Sequence, residues 1–230
     1  MDFDPYFDFQ READYRDSDR WSPTLQAYHQ RLWSKPLPAG GFFELELASQ
    51  NRLGHSLGER EYFLSSDRAV ATWRKKPKLL SMLSGAERET HARFIRHSDT
   101  MGGITIWPSQ KIDNKITIND HRGFSSYIAD RLDLTLECVR RHYAAEPSPL
   151  SETFKRYGFF FDLFVEFENY VEFFGFDDWT LADKSAVRLA TNFDSFQTSG
   201  YPKSNSEFVE YMARTSELIT ARNERLRAFF

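Results

Sequence analysis

The sequence predicts a single α+β domain, in which a small mixed or antiparallel sheet packs against a long aromatic-rich helix and a C-terminal helix. Three observations lead there. Runs such as Phe43-Glu44-Leu45-Glu46-Leu47 and Ile104-Thr105-Ile106-Trp107 alternate with the two-residue period of a strand. Between Tyr157 and Phe174 aromatic residues recur at helical spacing, and the 22 Phe, 10 Tyr and 5 Trp of this 230-residue chain can fill a sizeable core. A last stretch carries Phe208, Val209, Met212, Leu218, Ile219 and Leu226 at the spacing of an amphipathic helix.

Taken in order, residues 1–21 read as an acidic N-terminal arm and residues 22–230 as the domain. The first twenty residues hold seven acids and three arginines interleaved with Phe3, Tyr6, Phe7 and Phe9, as expected of an acidic strap pinned by its aromatic side chains. Ser22-Pro23 is a helix start, a serine cap followed by proline at the first helical position. Leu25, Tyr28, His29 and Leu32 form the buried stripe of that helix, which the Lys35-Pro36 junction ends. After the strand at 43–47, a polar loop with Gly54 and Gly58 leads to a strand at Tyr62-Phe63-Leu64. Ser65-Ser66-Asp67 then reads as the cap of a helix carrying Val70 and Trp73.

From Met101 to Tyr143 the chain is densest in features. Gly102-Gly103 precedes the run 104–107, which Pro108 ends. Asp113-Asn114 reads as a turn into Lys115-Ile116-Thr117-Ile118, so the two runs form a candidate hairpin. Asn119-Asp120-His121-Arg122-Gly123 follows as a polar cluster expected outside the core. Leu132, Leu136, Val139 and Tyr143 mark a helix over 132–143 with Asp133 as its cap. Further on, Ser148-Pro149 opens the long aromatic helix, which ends near Gly175. Residues 186–190 suggest another strand. Ser204 or Ser206 opens the final helix, whose charged end 221–225 is expected to be solvated.

Composition narrows the function. A formal charge of -4 and a pI near 5.9 argue against a strongly basic nucleic-acid binder, although eight cations face three acids between Asp67 and Arg96. The single cysteine, Cys138, excludes an intramolecular disulfide and a Cys-x-x-Cys metal site. The six histidines show no zinc-binding spacing, and there is no Walker loop, dinucleotide fingerprint or nucleophile elbow, so no metal or cofactor is implied. No leader and no membrane-spanning run are recognisable, which points to a cytoplasmic protein.

What remains is arginine. The planar guanidinium fork matches phosphate and carboxylate, and arginines cluster in the central stretch. The candidate ligand-binding residues are Arg96, Gly102, Gly103, Arg122, Gly123, Arg131 and Arg141, with a nucleotide or nucleic acid as the partner. Arg131 would stand at a helix start, where free amides favour anions, and Gly123 would admit a close backbone approach. The alternative is that these arginines neutralise Asp120, Asp130, Asp133 and Glu137. Cys138 and Phe164 read as core.

The run Gly-Gly-Ile-x-Ile-x-Pro, then Thr-Ile-Asn, Arg-Gly and Asp-Arg-x-Asp-Leu-Thr-Leu-Glu-Cys-x-Arg-Arg-His-Tyr, resembles a family of uncharacterised bacterial proteins. The likeness extends to 32–38, 64–67, 148–150 and Ala221-Arg222-Asn223, with Trp107 and His121 where Phe and Ala are expected. It implies a bacterial, cytosolic setting and no mechanism. Tyr28-His29, Tyr62-Phe63-Leu64-Ser65 and Trp73 also loosely resemble the histidine and tyrosine spacing of small NAD-dependent ADP-ribosyltransferases, but His29 falls in a helix rather than on a strand. His55 with Tyr62 is an equivalent substitute. Three classes therefore stay open: a binder of a phosphate-bearing ligand, an ADP-ribosyltransferase-like enzyme, and a structural or inhibitory protein acting through a protein interface.

Overall fold

A computed structural model describes residues 4–47 and 52–229 of the chain. Phe3 lies outside them. The helices are α1 (Phe9–Glu12), α2 (Ser18–Trp21), α3 (Pro23–Trp33), α4 (Pro77–Leu80), α5 (Gly85–Ser98), α6 (Ile118–Phe124), α7 (Leu132–Tyr143), α8 (Ser151–Arg156), α9 (Gly158–Phe161), α10 (Phe167–Phe174) and α11 (Asn205–Phe229). The strands are β1 (Glu44–Leu47), β2 (Leu53–Leu57), β3 (Arg60–Tyr62), β4 (Leu64–Arg68) and β5 (Ile104–Pro108). They form two antiparallel sheets, β1-β2-β3 and β4-β5, so the α+β class holds in one domain.

Local signals that rest on one cap or one stripe are reproduced. Ser22 accepts from the Leu25 amide with Pro23 behind it, and Leu25, Tyr28, His29 and Leu32 are all buried. Gly175 ends α10 in the left-handed conformation at φ 65°. The final helix opens where Ser204 accepts the Glu207 amide.

Pairing and continuity differ from the prediction, each for a physical reason. β5 pairs with β4, Ser66 opposite Ile106, and not with 115–118. Thr117 instead caps α6 in a reciprocal box with Asp120, so 115–117 is an irregular lead-in and Ile118 the first residue of a helix. Ser65-Ser66-Asp67 is therefore strand, not cap, and the Asp19 carboxylate satisfies the free Ser66 amide at 3.1 Å. Leu53–Leu57, expected as loop, is the central strand of the first sheet.

The long aromatic helix is three shorter ones. Val165 breaks it with a left-handed φ of 68°, and Glu166 beyond it is extended. Tyr157, Phe160, Phe161, Phe164, Phe167, Val171 and Phe174 are buried all the same. The breaks wrap the rings around one centre, so that Phe160, Tyr170, Phe173 and Phe174 all lie 5.2–5.4 Å from Phe164 by ring centroids. The expected strand at 186–190 reduces to one bridge, Thr180 to Val187.

Candidate functional site

Arg122 corrects the expectation that 119–123 lies outside the core, because its side chain is fully buried. A buried guanidinium needs acceptors for its five N–H groups, and the fold supplies them. Nε donates to Thr135 Oγ1 at 3.1 Å, Nη1 to Asn119 Oδ1 at 3.2 Å, and Nη2 to the carbonyls of Asp130 (2.8 Å) and Ala69. The Asp130 carboxylate pairs with Nη1 at 2.8 Å. Arg122 thus joins the end of β4 to α6 and α7. Gly123 sits inside α6 with open space where a Cβ would be.

The two other glycines serve close packing. They form a 3-10 turn between α5 and β5. A Cβ on Gly102 would lie 2.3 Å from the Ile219 carbonyl oxygen, and one on Gly103 would lie 2.4 Å from that of Ser98. The Gly102 amide donates to Asn223 Oδ1 at 2.6 Å. Beside it lies a residue that the sequence placed in solvent. Arg222 is fully buried, donating to the carbonyls of Met101, Gly102, Ile104 and Phe174, with its guanidinium 4.0 Å from the Phe176 ring centroid. Among the described residues no carboxylate pairs with it. The signal was present: Phe208, Met212, Thr215, Ile219, Arg222 and Leu226 recur at spacings of three and four, so Arg222 occupies the core stripe. Arg96 is exposed near the end of α5.

Arg131 and Arg141 lie at opposite ends of α7 and both engage the segment 191–200. Arg131, not Asp133, is the cap residue of α7. Asp133 is instead buried, accepting Arg131 Nε at 3.1 Å and the Ala190 amide at 2.9 Å. Burial works against the Arg131 charge, yet the Asp133 carboxylate outweighs it and holds the guanidinium above its ordinary pKa. Arg131 Nη1 reaches Thr191 Oγ1 (2.8 Å) and the Gly200 carbonyl (3.2 Å). Arg141 pairs with Glu137 at 2.8 Å and donates to Ser195 Oγ at 2.7 Å, its guanidinium 4.9 Å from the Phe196 ring. Thr135 links Arg131 to Arg122, donating to the Arg131 carbonyl at 2.6 Å while accepting from Arg122. Arg131 lines the cavity between the start of α7 and residues 191–203; Arg141 holds its outer loop, and Arg96, Gly102 and Gly103 lie elsewhere in the fold.

That cavity, of about 210 Å³, is bounded by Tyr127, Arg131, Thr191, the 192–200 segment, Lys203 and Glu207. Lys203 Nζ donates to Thr198 Oγ1 at 2.8 Å and forms no ion pair among the described residues. The Lys203 amide donates to Glu207 Oε2 at 2.6 Å. Asp194 accepts from Thr198 Oγ1 at 2.5 Å and from the Gln197 amide at 3.1 Å, and these hydrogen bonds, helped by the nearby Lys203 charge, hold its carboxyl below the ordinary range.

A second cavity of about 200 Å³ opens over β2 and β3 and includes Arg52, His55 and Tyr62. His55 is buried and neither ring nitrogen has a partner among the described residues, and burial, followed by the neighbouring His29, pushes its pKa down to about 3. His29 Nε2 lies 2.7 Å from Ser66 Oγ and 3.4 Å from Asp19. Cys138 is buried, and burial pushes its thiol up to about 12. Among the described residues, no three His, Cys, Asp or Glu side chains are placed to hold a metal, and no helix is long and apolar enough to cross a membrane.

No curated protein and no solved structure shows a significant match to the chain. A family model covers residues 3–226, which is nearly the whole fold, including both cavities, the Arg122 node and the buried Arg222. The chain belongs to this family of unknown function, DUF6994.

Proposed function

We propose that this protein binds a mononucleotide-sized, phosphate-bearing ligand in the cavity between the start of α7 and residues 191–203. The observation that carries this reading is Lys203, an ammonium lining the cavity that donates to Thr198 and forms no direct ion pair among the described residues, although its charge reaches Asp194 across Thr198. Asp194 and Glu207 line the same cavity, so a bare phosphate would meet repulsion as well as attraction. A nucleotide resolves that conflict. Its phosphate suits Lys203, its hydroxyl and amino donors suit the two carboxylates, and Tyr127, Phe193 and Phe196 offer aromatic faces to a base.

The cavity is smaller than the roughly 300–1,000 Å³ usual for ligand sites, so one nucleotide unit would fill it. Arg131, already neutralised by Asp133 and donating to Thr191 and Gly200, shapes the cavity wall rather than supplying net charge, and Arg122 ties in its backbone through Thr135. Arg141 orients the loop through Ser195. Arg96, Gly102, Gly103 and Gly123 fall outside this reading.

Calorimetric titration with ATP, GTP, AMP and inorganic phosphate tests it. Lys203→Ala should weaken nucleotide binding by about 1.5–3 kcal/mol, as for a hydrogen bond to a charged group, without lowering the melting temperature. A wild-type protein that binds none of these ligands overturns the proposal.

A second reading rests on His55. Its two ring nitrogens, unpartnered among the described residues and beside Tyr62 in the other cavity, suit the enzyme class, and consumption of labelled NAD would support it. Unchanged NAD after prolonged incubation excludes it.

A further inference from the structure

We infer that the surface beside the cavity is a track for single-stranded nucleic acid, with the cavity receiving one of its nucleotides; this deepens the reading above and rests on it. The segment 199–203 is a wall with two faces. Ser199, Gly200 and Lys203 line the cavity, whereas Tyr201 lines a wide hollow of about 560 Å³ with Lys76, Pro77, Lys78 and Leu79. The surface of that hollow is almost wholly apolar, and its cations come from the chain around it. Arg74, Lys75, Lys76 and Lys78 are exposed within five residues, and no acid occurs from residue 68 to residue 86.

Aromatic faces alternate with these charges. Lys76 Nζ lies 5.3 Å from the ring centroid of the half-buried Tyr201, and the buried Trp73, 6.1 Å from the same ring, backs it from the core side. On the other side of the wall Tyr127 lines the cavity at 46 % exposure, and Phe124, three residues before it, is 79 % exposed. The Gly200 amide donates to the Ser126 carbonyl at 2.8 Å, tying the Phe124–Tyr127 segment to the wall. Asp130 lies near enough to Lys76 to feel its charge, but Arg122 already holds its carboxylate at 2.8 Å.

Cations that follow a backbone and rings that accept bases are the two requirements of single-strand binding. A duplex keeps its bases stacked and would leave the rings unused. An anionic bilayer would be drawn to the same lysines, but it has no group to place in the cavity. A single strand uses both features, with one nucleotide in the cavity and its neighbours on Tyr201 and Tyr127. Tyrosine stacking reads no base edge, so the expected preference among sequences is weak.

The test uses fluorescein-labelled oligo(dT) and oligo(U) of about a dozen nucleotides, the upper part of the usual site size for such folds. Anisotropy is recorded across a salt series, with ATP calorimetry on the same samples. The wild type should bind the oligonucleotides at least about ten-fold more tightly than ATP, because several contacts act together. Lys76→Glu with Lys78→Glu should weaken oligonucleotide binding about ten-fold or more and flatten the salt dependence by roughly 1.4 in log–log slope, two phosphates' worth. ATP binding should not change. Both lysines are exposed, and an unchanged melting temperature confirms folding. Phe124→Ala, which alters no charge, should weaken oligonucleotide binding with the salt slope kept.

Oligonucleotides bound no more tightly than ATP, or unaffected by the lysine reversal, would overturn the track while leaving the cavity reading standing. Binding of neither ATP nor oligonucleotide would overturn both. Binding to phosphatidylserine vesicles with none to oligonucleotides would also overturn the track, and assign the lysines to a membrane surface.

Discussion

Arg222 Nη2 donates to the carbonyl oxygen of Phe174, the last residue of α10, at 3.0 Å. A helix carries partial negative charge at its C-terminus, and here that charge faces a buried guanidinium. The carbonyls of Met101, Gly102 and Ile104 and the Tyr28 hydroxyl complete the shell. Backbone dipoles thus replace the carboxylate usually found beside a buried cation, while burial pulls the Arg222 pKa down.

Arg222→Leu is therefore expected to be a folding mutant. Removing the fork takes a donor from each of these buried carbonyls, at about 1–3 kcal/mol for each one left unsatisfied, while Met101 keeps the Ile104 amide. Arg222→Lys should recover only part of the loss, because an ammonium on a flexible stem cannot span the same acceptors. Urea denaturation of the three proteins measures this. Equal midpoints would show that the carbonyls find other partners.

Asp67, on β4, has its carboxyl pushed up to about 7 by burial, against the pull of Arg122. Between its ordinary value and pH 7 the folded state keeps a proton that the unfolded state has released. Stability from this group is therefore full in acid, falls as pH rises towards 7 and stays flat above it. Asp67→Asn cannot ionise and can still accept the Asn119 amide hydrogen bond that Asp67 accepts at 2.8 Å. It should match the wild type near pH 4 and exceed it by roughly 1–4 kcal/mol above pH 7. His55 acts oppositely, since its depressed pKa confers stability above the ordinary histidine value that is lost as pH falls towards 3. Comparing variant with wild type at each pH cancels the histidine. A constant difference across the range would remove Asp67 as the cause.

Phe164→Ala should cost about 3–5 kcal/mol, the usual penalty for emptying a phenylalanine site. Its ring meets four others at 5.2–5.4 Å, and their breakdown would be visible as lost near-ultraviolet dichroism. An unchanged melting temperature would refute the core assignment.

Cys138, with its thiol raised to about 12 and its side chain buried, should resist Ellman's reagent at neutral pH until the protein unfolds. Cys138→Ala should leave nucleotide binding intact. Fast native-state labelling would instead make it an accessible, reactive thiol.

What the sequence shows and what it hides follow from the range of the interactions. The caps at Ser22 and Gly175 and the stripe of α7 involve residues a turn apart, so they are legible. The partner of β5 is not, because Leu64-Ser65-Ser66-Asp67-Arg68 does not alternate. Its polar residues are satisfied by Asp19, Asp99 and Asn119, which are distant in sequence. Arg122 and Arg131 were legible as important, and their acidic neighbours Asp130 and Asp133 were legible as partners. The depth of Arg122 was not, since the carbonyls that solvate it belong to residue types carrying no signal. That Lys203 shares a cavity with Arg131 is not legible either, because nothing in its neighbourhood is periodic and only the folded loop brings the two together.

The Arg222 shell also sets an order on synthesis. A ribosome makes Tyr28, the Met101–Ile104 turn and Phe174 well before it makes Arg222. Until then the carbonyls that it will satisfy must stay hydrated, and the aromatic centre beside them cannot close. Gly102 obeys the same clock, because Asn223 and the backbone at Ile219 are what fill the space beside it. A nascent chain halted before α11 is complete should thus stay protease-sensitive around the Met101–Ile104 turn and Phe174, and gain protection there once the last helix is released.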